Sequence, residues 1–463
     1  MRRKQKKSYE IDMCNGSILK KLLIFTIPLI CSSMLQLLFN AADVVVVGQF
    51  AGDNSLAAVG STTVIINLLM NLFIGLSIGA NVLVARYYGA KREEELSKTV
   101  HTAMLLSVYS GLLLTVVGVI GARYILIWMQ TPEEVLDLAT LYLRIYFLGM
   151  TATMTYNFGS AILRAKGDTK RPLYYLFGAG IINVILNLVF VIIFKMDVAG
   201  VALATVISQV ISAILVVRCL MKEEDGIKLN LKSLHIDKES FKAILKIGLP
   251  AGLQGTIFSL SNVVIQSSIN SFGAIVVAGN SAAANLEGFV YVAMNAFHQS
   301  AISFTSQNVG AGKYERIRKI AIISEVCVLA VGGLLGNAVV LWGENLLTMY
   351  SNHPEVIHAG VQRLQIIGST YFLCGMMDVM VGVLRGMGYS IMPMIVSLIG
   401  ACGLRLLWLA TIFQVDRFHT ITTVYMSYPI TWIITLSVHL ICFMCLMPRL
   451  ERKLKGEVIQ TIG

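Results

Sequence analysis

Four carboxylates lie well inside long apolar stretches of this 463-residue chain, away from their edges: Asp43, Glu287, Glu325 and Asp378. A charge at the centre of hydrocarbon costs at least ~2.5–3.5 kcal/mol, so each reads first as functional. Asp43, in LLFNAADVVVVGQF, has the chemistry of an ion carrier. Burial favours the protonated carboxyl and a nearby cation favours the carboxylate, so changing surroundings can load and unload a proton or Na⁺. The opposing reading is an interfacial residue, seven positions before Phe50. Asn183 and Asn187 are four apart and share one helix face. Their amide oxygens would face Asp43 or a cation; otherwise they are interhelical glue, worth ~0.6–2 kcal/mol each. Thr205 and Tyr142 offer further oxygens. Pro28, fifteen residues before Asp43, removes one helix hydrogen bond and permits bending there, or marks a static kink.

Glu287, in AANLEGFVY, and Asp378, in CGMMDVMVGVLRG, have two readings of equal standing. Either they line a cleft as a negative wall for organic cations, or they pair with Arg363 or Arg405, which lie in apolar stretches too. Glu325 stands closer to a basic loop and is expected to snorkel or to be paired. The 21 methionines suit a promiscuous apolar cleft, though most are ordinary packing contacts. His101, His298 and His439 lack ligand-spaced partners, so no metal is expected apart from Na⁺ at Asp43. Cys442 and Cys445 form a CxxC, but within ICFMCLM, where helix packing is the better reading. There is no P-loop, no soluble stretch long enough for an ATPase domain, and no nucleophile–base set. An enzyme is therefore not expected, nor an organic cofactor.

The elements that must position these groups are membrane spans. The chain is 56% hydrophobic and only 14% charged, against roughly 25% charged in soluble domains. The net charge of +11 would suggest nucleic acid, but the basic residues sit in short hinges with little aromatic interleaving. Anionic lipid head groups explain them more simply, and no nucleic-acid partner is expected. A span needs about 20 apolar residues. Twelve runs qualify: 21–50, 55–85, 98–122, 134–163, 172–194, 198–221, 241–271, 275–306, 318–342, 356–384, 391–415 and 421–447. The run after the basic MRRKQKK is too long for a signal peptide and reads as a retained first span. With these spans, 31 Lys and Arg fall on one side, and only Arg123, Lys195 and Arg417 on the other. That asymmetry puts both termini in the cytoplasm of a cell membrane protein, which requires an even number of spans.

The halves repeat. Pro28 and Asn40 match Pro250 and Asn262 at a shift of 222; Gly89-Ala90, Leu163-Arg164, Gly167 and Pro172 match Gly310-Ala311, Leu384-Arg385, Gly388 and Pro393 at 221. The expected fold is an all-α polytopic membrane protein, with twelve transmembrane helices in two pseudo-symmetric six-helix lobes. The lobes are expected at 1–221 and 241–448, joined by a polar cytoplasmic linker at 222–240 and followed by a cytoplasmic tail at 449–463. Parallel six-span repeats are a transporter build, with the substrate path between the halves.

Several stretches together resemble the multidrug and toxic compound extrusion (MATE) family over about Ile18 to Pro448. They are IPLICSSMLQLLFNAADVVVVG, VARYYGAK with its echo SQNVGAG, and the pair LRAKGDTKRP and LRGMGYSIMP. The resemblance leans toward the DinF-like branch. It implies a V-shaped monomer that exports drugs, often cationic and amphipathic, in antiport against H⁺ or Na⁺. It also implies an N-lobe site in which Asp43, Asn183, Asn187 and Thr205 take the family positions. Tyr142 is then a fifth member, Gln36 a cleft residue, and Pro28 the proline at which span one bends. Asn187 stands where some DinF-like members carry an aspartate. LQGTIFSLSN lacks the glutamate that another branch places in span seven. The alternative is a flippase of lipid-linked saccharides or lipid precursors, which would want a larger and more basic cavity.

Overall fold

The computed structural model describes residues 9–224 and 226–462, with side chains as far as Arg452. The MRRKQKK segment and the side chains of Lys453 and Lys455 lie outside the described residues. The described residues form helices joined by turns, without a strand. In chain order these are α1 (Ile18–Phe50), α2 (Asp53–Gly89), α3 (Glu93–Trp128), α4 (Glu133–Leu148), α5 (Met150–Lys166), α6 (Lys170–Leu188), α7 (Asp197–Met221) and α8 (Lys238–Asn270). There follow α9 (Ala274–Gly310), α10 (Tyr314–Leu341), α11 (Gly343–Leu347), α12 (Pro354–Arg363), α13 (Phe372–Gly386), α14 (Ile391–Ser397), α15 (Leu404–Ala410) and α16 (Ile421–Ile462). Ten helical stretches are long and apolar enough to cross a membrane, or up to twelve if each of two bent pairs counts as one span.

Hydropathy merges 134–163 and 356–384 into single runs, but both are bent. At Gly149, α4 turns into α5 by 47°. The π-helical turn Leu364–Gly368 extends α12 before a 44° bend into α13. Glycines and π turns are the ordinary causes of such kinks. The internal repeat is carried into the elements: α1 and α8 each have 33 residues, and α2 and α9 each have 37.

By contact, the chain divides into two units. Unit 1 is Met1–Asp12 with Ile27–Gly252; unit 2 is Met13–Thr26 with Leu253–Gly463. The division therefore runs inside α1 and α8. In unit 1, the first half of α8 packs on α2 through glycines: a Cβ on Gly75 would lie 2.1 Å from the Gly252 nitrogen. Small residues let membrane helices approach this closely. In unit 2, the first turns of α1 are held by a 2.7 Å hydrogen bond between the Thr26 and Ser300 hydroxyls and by Phe25 edge-on to Phe304.

The polar segment 222–240 is docked rather than a bare tether. Ile227 and Leu229 are buried in the core of unit 1. The Asn230 N–H donates to His101 Nε2 at 3.1 Å, and the Asp237 N–H to the Thr102 hydroxyl at 3.0 Å. Two apolar side chains in a charged stretch are enough to anchor it. Large apolar side chains such as Ile120, Trp128, Leu334 and Leu341 remain exposed, as a lipid-facing surface requires.

Where α5 meets α6, Gly167 takes φ of 113°, and a Cβ there would sit 2.4 Å from the Ile11 carbonyl oxygen. Beside this turn, Lys166 donates to Glu223 at 2.9 Å and Arg171 donates to it at 2.5 Å. Burial by itself would raise the Glu223 carboxyl, but Lys166 and Arg171 outweigh it and hold the group below its usual range. A carboxylate so held adds stability above its unfolded pKa and loses it as pH falls through the folded value. Glu223→Gln should therefore lower stability at pH 7 by about 1–3 kcal/mol. As pH falls through the folded value of the Glu223 carboxyl, the thermal unfolding curves of the two proteins should converge.

Candidate functional site

Three helices of unit 1 assemble one polar site. Asp43, on α1, is only 8% exposed. Asn183 and Asn187 project from one face of α6, and Thr205 from α7. The Asn187 amide nitrogen donates to one Asp43 oxygen and, at 3.3 Å, to the Asn183 side-chain oxygen. The Asn183 nitrogen lies 3.4 Å from the Thr205 hydroxyl. That hydroxyl stands 3.4 Å from the other Asp43 oxygen and 3.0 Å from the Val201 carbonyl.

The network tolerates either state of Asp43. A hydroxyl carries one proton and accepts others. With Asp43 ionised, Thr205 donates to it; with Asp43 protonated, Thr205 donates to Val201 and accepts from the carboxyl. Asn187 presents its N–H, not its oxygen, to Asp43, because a carboxylate only accepts. Its own oxygen is buried without a partner among the described residues. Asp43, Asn183, Asn187 and Thr205 each carry a side-chain oxygen, the ligand type that suits a hard cation, although Asn187 turns its nitrogen to Asp43. No cluster of three His, Cys, Asp or Glu that could hold a metal occurs among the described residues.

Tyr142 is buried on α4 but makes no recorded hydrogen bond to Asp43; its ring stacks on Tyr146 at 5.9 Å. Both tyrosines lie within electrostatic reach of the Asp43 carboxyl. Sequence reasoning missed Tyr146, although it follows Tyr142 by four residues and so shares its face. It also missed the π-helical turn Val189–Ile193, which begins two residues after Asn187. Such turns recur at functional sites. Pro28 lies inside α1, two residues past the point where the helix passes from unit 2 to unit 1. Gln36 is exposed on α1.

In unit 2 the open alternatives resolve differently for the two acids. Glu287 forms a two-bond ion pair with Arg363, at 3.0 and 2.6 Å. Arg363 also donates to Asn280 at 2.6 Å. Glu287 is 3% exposed, so it is an internal counter-charge rather than a cleft wall. Asp378 pairs with neither arginine: it accepts from the Tyr291 hydroxyl at 3.3 Å and is half-buried. Arg405 instead lies over the Tyr428 ring at 4.0 Å and donates to Thr431 at 3.1 Å. Glu325 departs from expectation. It neither snorkels nor pairs, because both its oxygens are buried and partnerless among the described residues. It stands too far along α10 to reach the basic end.

An all-helical, membrane-crossing chain with repeated halves and a buried carboxyl between helix faces has the build of a secondary transporter. The MatE family pattern matches residues 28–189 and 250–410, and the chain belongs to that family. It is 27% identical over 394 residues to the probable multidrug resistance protein YoeA of Bacillus subtilis, covering 84% of this chain and 85% of that one. Against the probable multidrug resistance protein YpnP of the same organism, identity is 28% over 394 residues, with 85% and 88% covered. Among solved structures, an outward-facing multidrug resistance MATE family transporter of the MOP superfamily shares the fold. Its TM-score is 0.89 at 20% identity, over 97% of this chain and 100% of that one.

Proposed function

We propose that this chain is a secondary active multidrug efflux antiporter, exporting small and often cationic amphipathic compounds in exchange for H⁺ or Na⁺. The reading includes twelve spans in two six-helix lobes, both termini in the cytoplasm, a monomer of the DinF-like branch, and residence in the cell membrane. The observation that carries it is the Asp43 carboxyl, buried in unit 1 and held by Asn187 and Thr205 in an arrangement that serves both its charged and neutral states. Facing outward, the protein takes a proton or Na⁺ at Asp43. The helix α1 bends near Pro28, the cleft on which Gln36 lies shrinks, and the drug leaves. The ion departs on the cytoplasmic side, where a new drug enters. The ion must bind the two states with different affinity, or it shifts nothing. Asp378, half-buried and paired to no cation among the described residues, is a candidate for contact with cationic substrates.

The test is ethidium efflux from vesicles holding the purified protein, first under an imposed Na⁺ gradient and then under an imposed pH gradient. Efflux driven by at least one gradient is the expected result. Folded protein that moves no drug under either gradient overturns the proposal.

A further inference from the structure

Among the described residues, every acid at membrane depth has partners except one. Asp43 has Asn187 and Thr205, Glu287 has Arg363, and Asp378 has Tyr291. Among the described residues, Glu325 is the one carboxyl with both oxygens buried and neither hydrogen-bonded. It lies on α10 about 16 Å from the Tyr314 end at 1.5 Å per residue, well inside the span. The hydroxyl of neighbouring Ser324 is also buried and partnerless, so one turn of α10 carries three unsatisfied oxygens.

An ionised carboxylate in this position would need a cation. The elements packed against α10 are α9, α11, α13, α16 and the Leu364–Gly368 turn. Within the apolar part of these elements, Glu287 is engaged with Arg363, Tyr291 and His298 with Asp378, Arg385 with Gln254, and His439 with Ser397; further along α16, Arg449 and Arg452 are exposed and Glu451 pairs with Arg318. Glu344, on α11, is exposed. A buried, unpaired ion is so costly that the group neutralises itself instead. The cost of a polar group without structural return marks a functional residue in a membrane helix.

We propose that Glu325 is a second proton-holding carboxyl, located in unit 2 and independent of Asp43, and that it is a modification site for apolar carbodiimides. The chemistry requires the neutral acid in an apolar setting. The carboxyl proton passes to one carbodiimide nitrogen as a carboxyl oxygen bonds to the central carbon, giving an O-acylisourea. An oxygen-to-nitrogen acyl shift then yields a stable N-acylurea, and no atom is lost.

The full-length protein in phosphatidylcholine vesicles at pH 7 would be treated with dicyclohexylcarbodiimide, digested, and read by mass spectrometry. The peptide holding Glu325 should gain one whole carbodiimide, at least ten-fold more than with a water-soluble cationic carbodiimide. Asp43→Asn should keep this adduct and Glu325→Gln should lose it. Glu325→Asp, which retains the acid, is a second check and should keep it. Retention by Asp43→Asn separates this proposal from the antiport reading, which concerns Asp43. An unlabelled Glu325 peptide from folded wild-type protein, or equal labelling by both reagents, overturns the proposal.

Discussion

Asp43→Asn is expected to reduce drug export to the level of cells lacking the protein, without loss of folded protein in the membrane. The substitution keeps the shape of the side chain. Its oxygen can still accept from the Asn187 N–H, so the contact between α1 and α6 survives. What is lost is the exchange between a charged and a neutral form, and with it the charge that would hold Na⁺. The affinity difference that lets an ion drive a conformational change then vanishes, because a ligand that no longer binds cannot bias two states. Growth protection against ethidium, compared at equal expression, gives the first readout. The thermal midpoint of the purified variant, expected close to wild type, gives the second. Full protection at normal expression would remove Asp43 from the mechanism.

Glu287→Ala should be the most damaging single change to the fold of unit 2. Arg363 is buried and makes two of its hydrogen bonds to this carboxylate. Removing one partner of a buried ion pair costs about 3–5 kcal/mol, because the other charge stays behind uncompensated. Arg363 would keep only Asn280 and the faces of Tyr425 and Tyr428, near 6 Å away. Replacing both partners with apolar residues, as Glu287→Ala with Arg363→Leu, should recover most of that loss, since no orphan charge remains. Thermal unfolding of the three purified proteins in detergent measures this. If Glu287→Ala unfolds like wild type and instead changes which drugs are exported, Glu287 belongs to the substrate path after all.

Much of this molecule was legible from residue order. Hydropathy depends on each stretch alone, because the solvation cost of a span is a sum over its own residues. That is why the twelve apolar runs fall on ten candidate spans and two bent helix pairs, and the repeat at 221 reappears in the lengths of α2 and α9. Asn183 and Asn187 were readable as one face because helical spacing is local. Asp43 stood out because a carboxylate in an apolar run is costly wherever its neighbours lie.

Partner choice was not legible. Asp43 meets Asn187 across 144 residues and Thr205 across 162, and Glu287 meets Arg363 across 76. Nothing in the spacing of these residues distinguishes Arg363 from Arg405 as the counter-ion; the packing of α9 against α12 does. The same holds for the way Asn187 turns its amide, for the solitude of Glu325, and for the division of α1 and α8 between two units. Sequence determined which groups are expensive to bury, since desolvation is a property of one residue in one medium. Tertiary structure alone decided which of them are compensated, since a hydrogen bond or ion pair exists only when two helices bring its halves within about 3 Å.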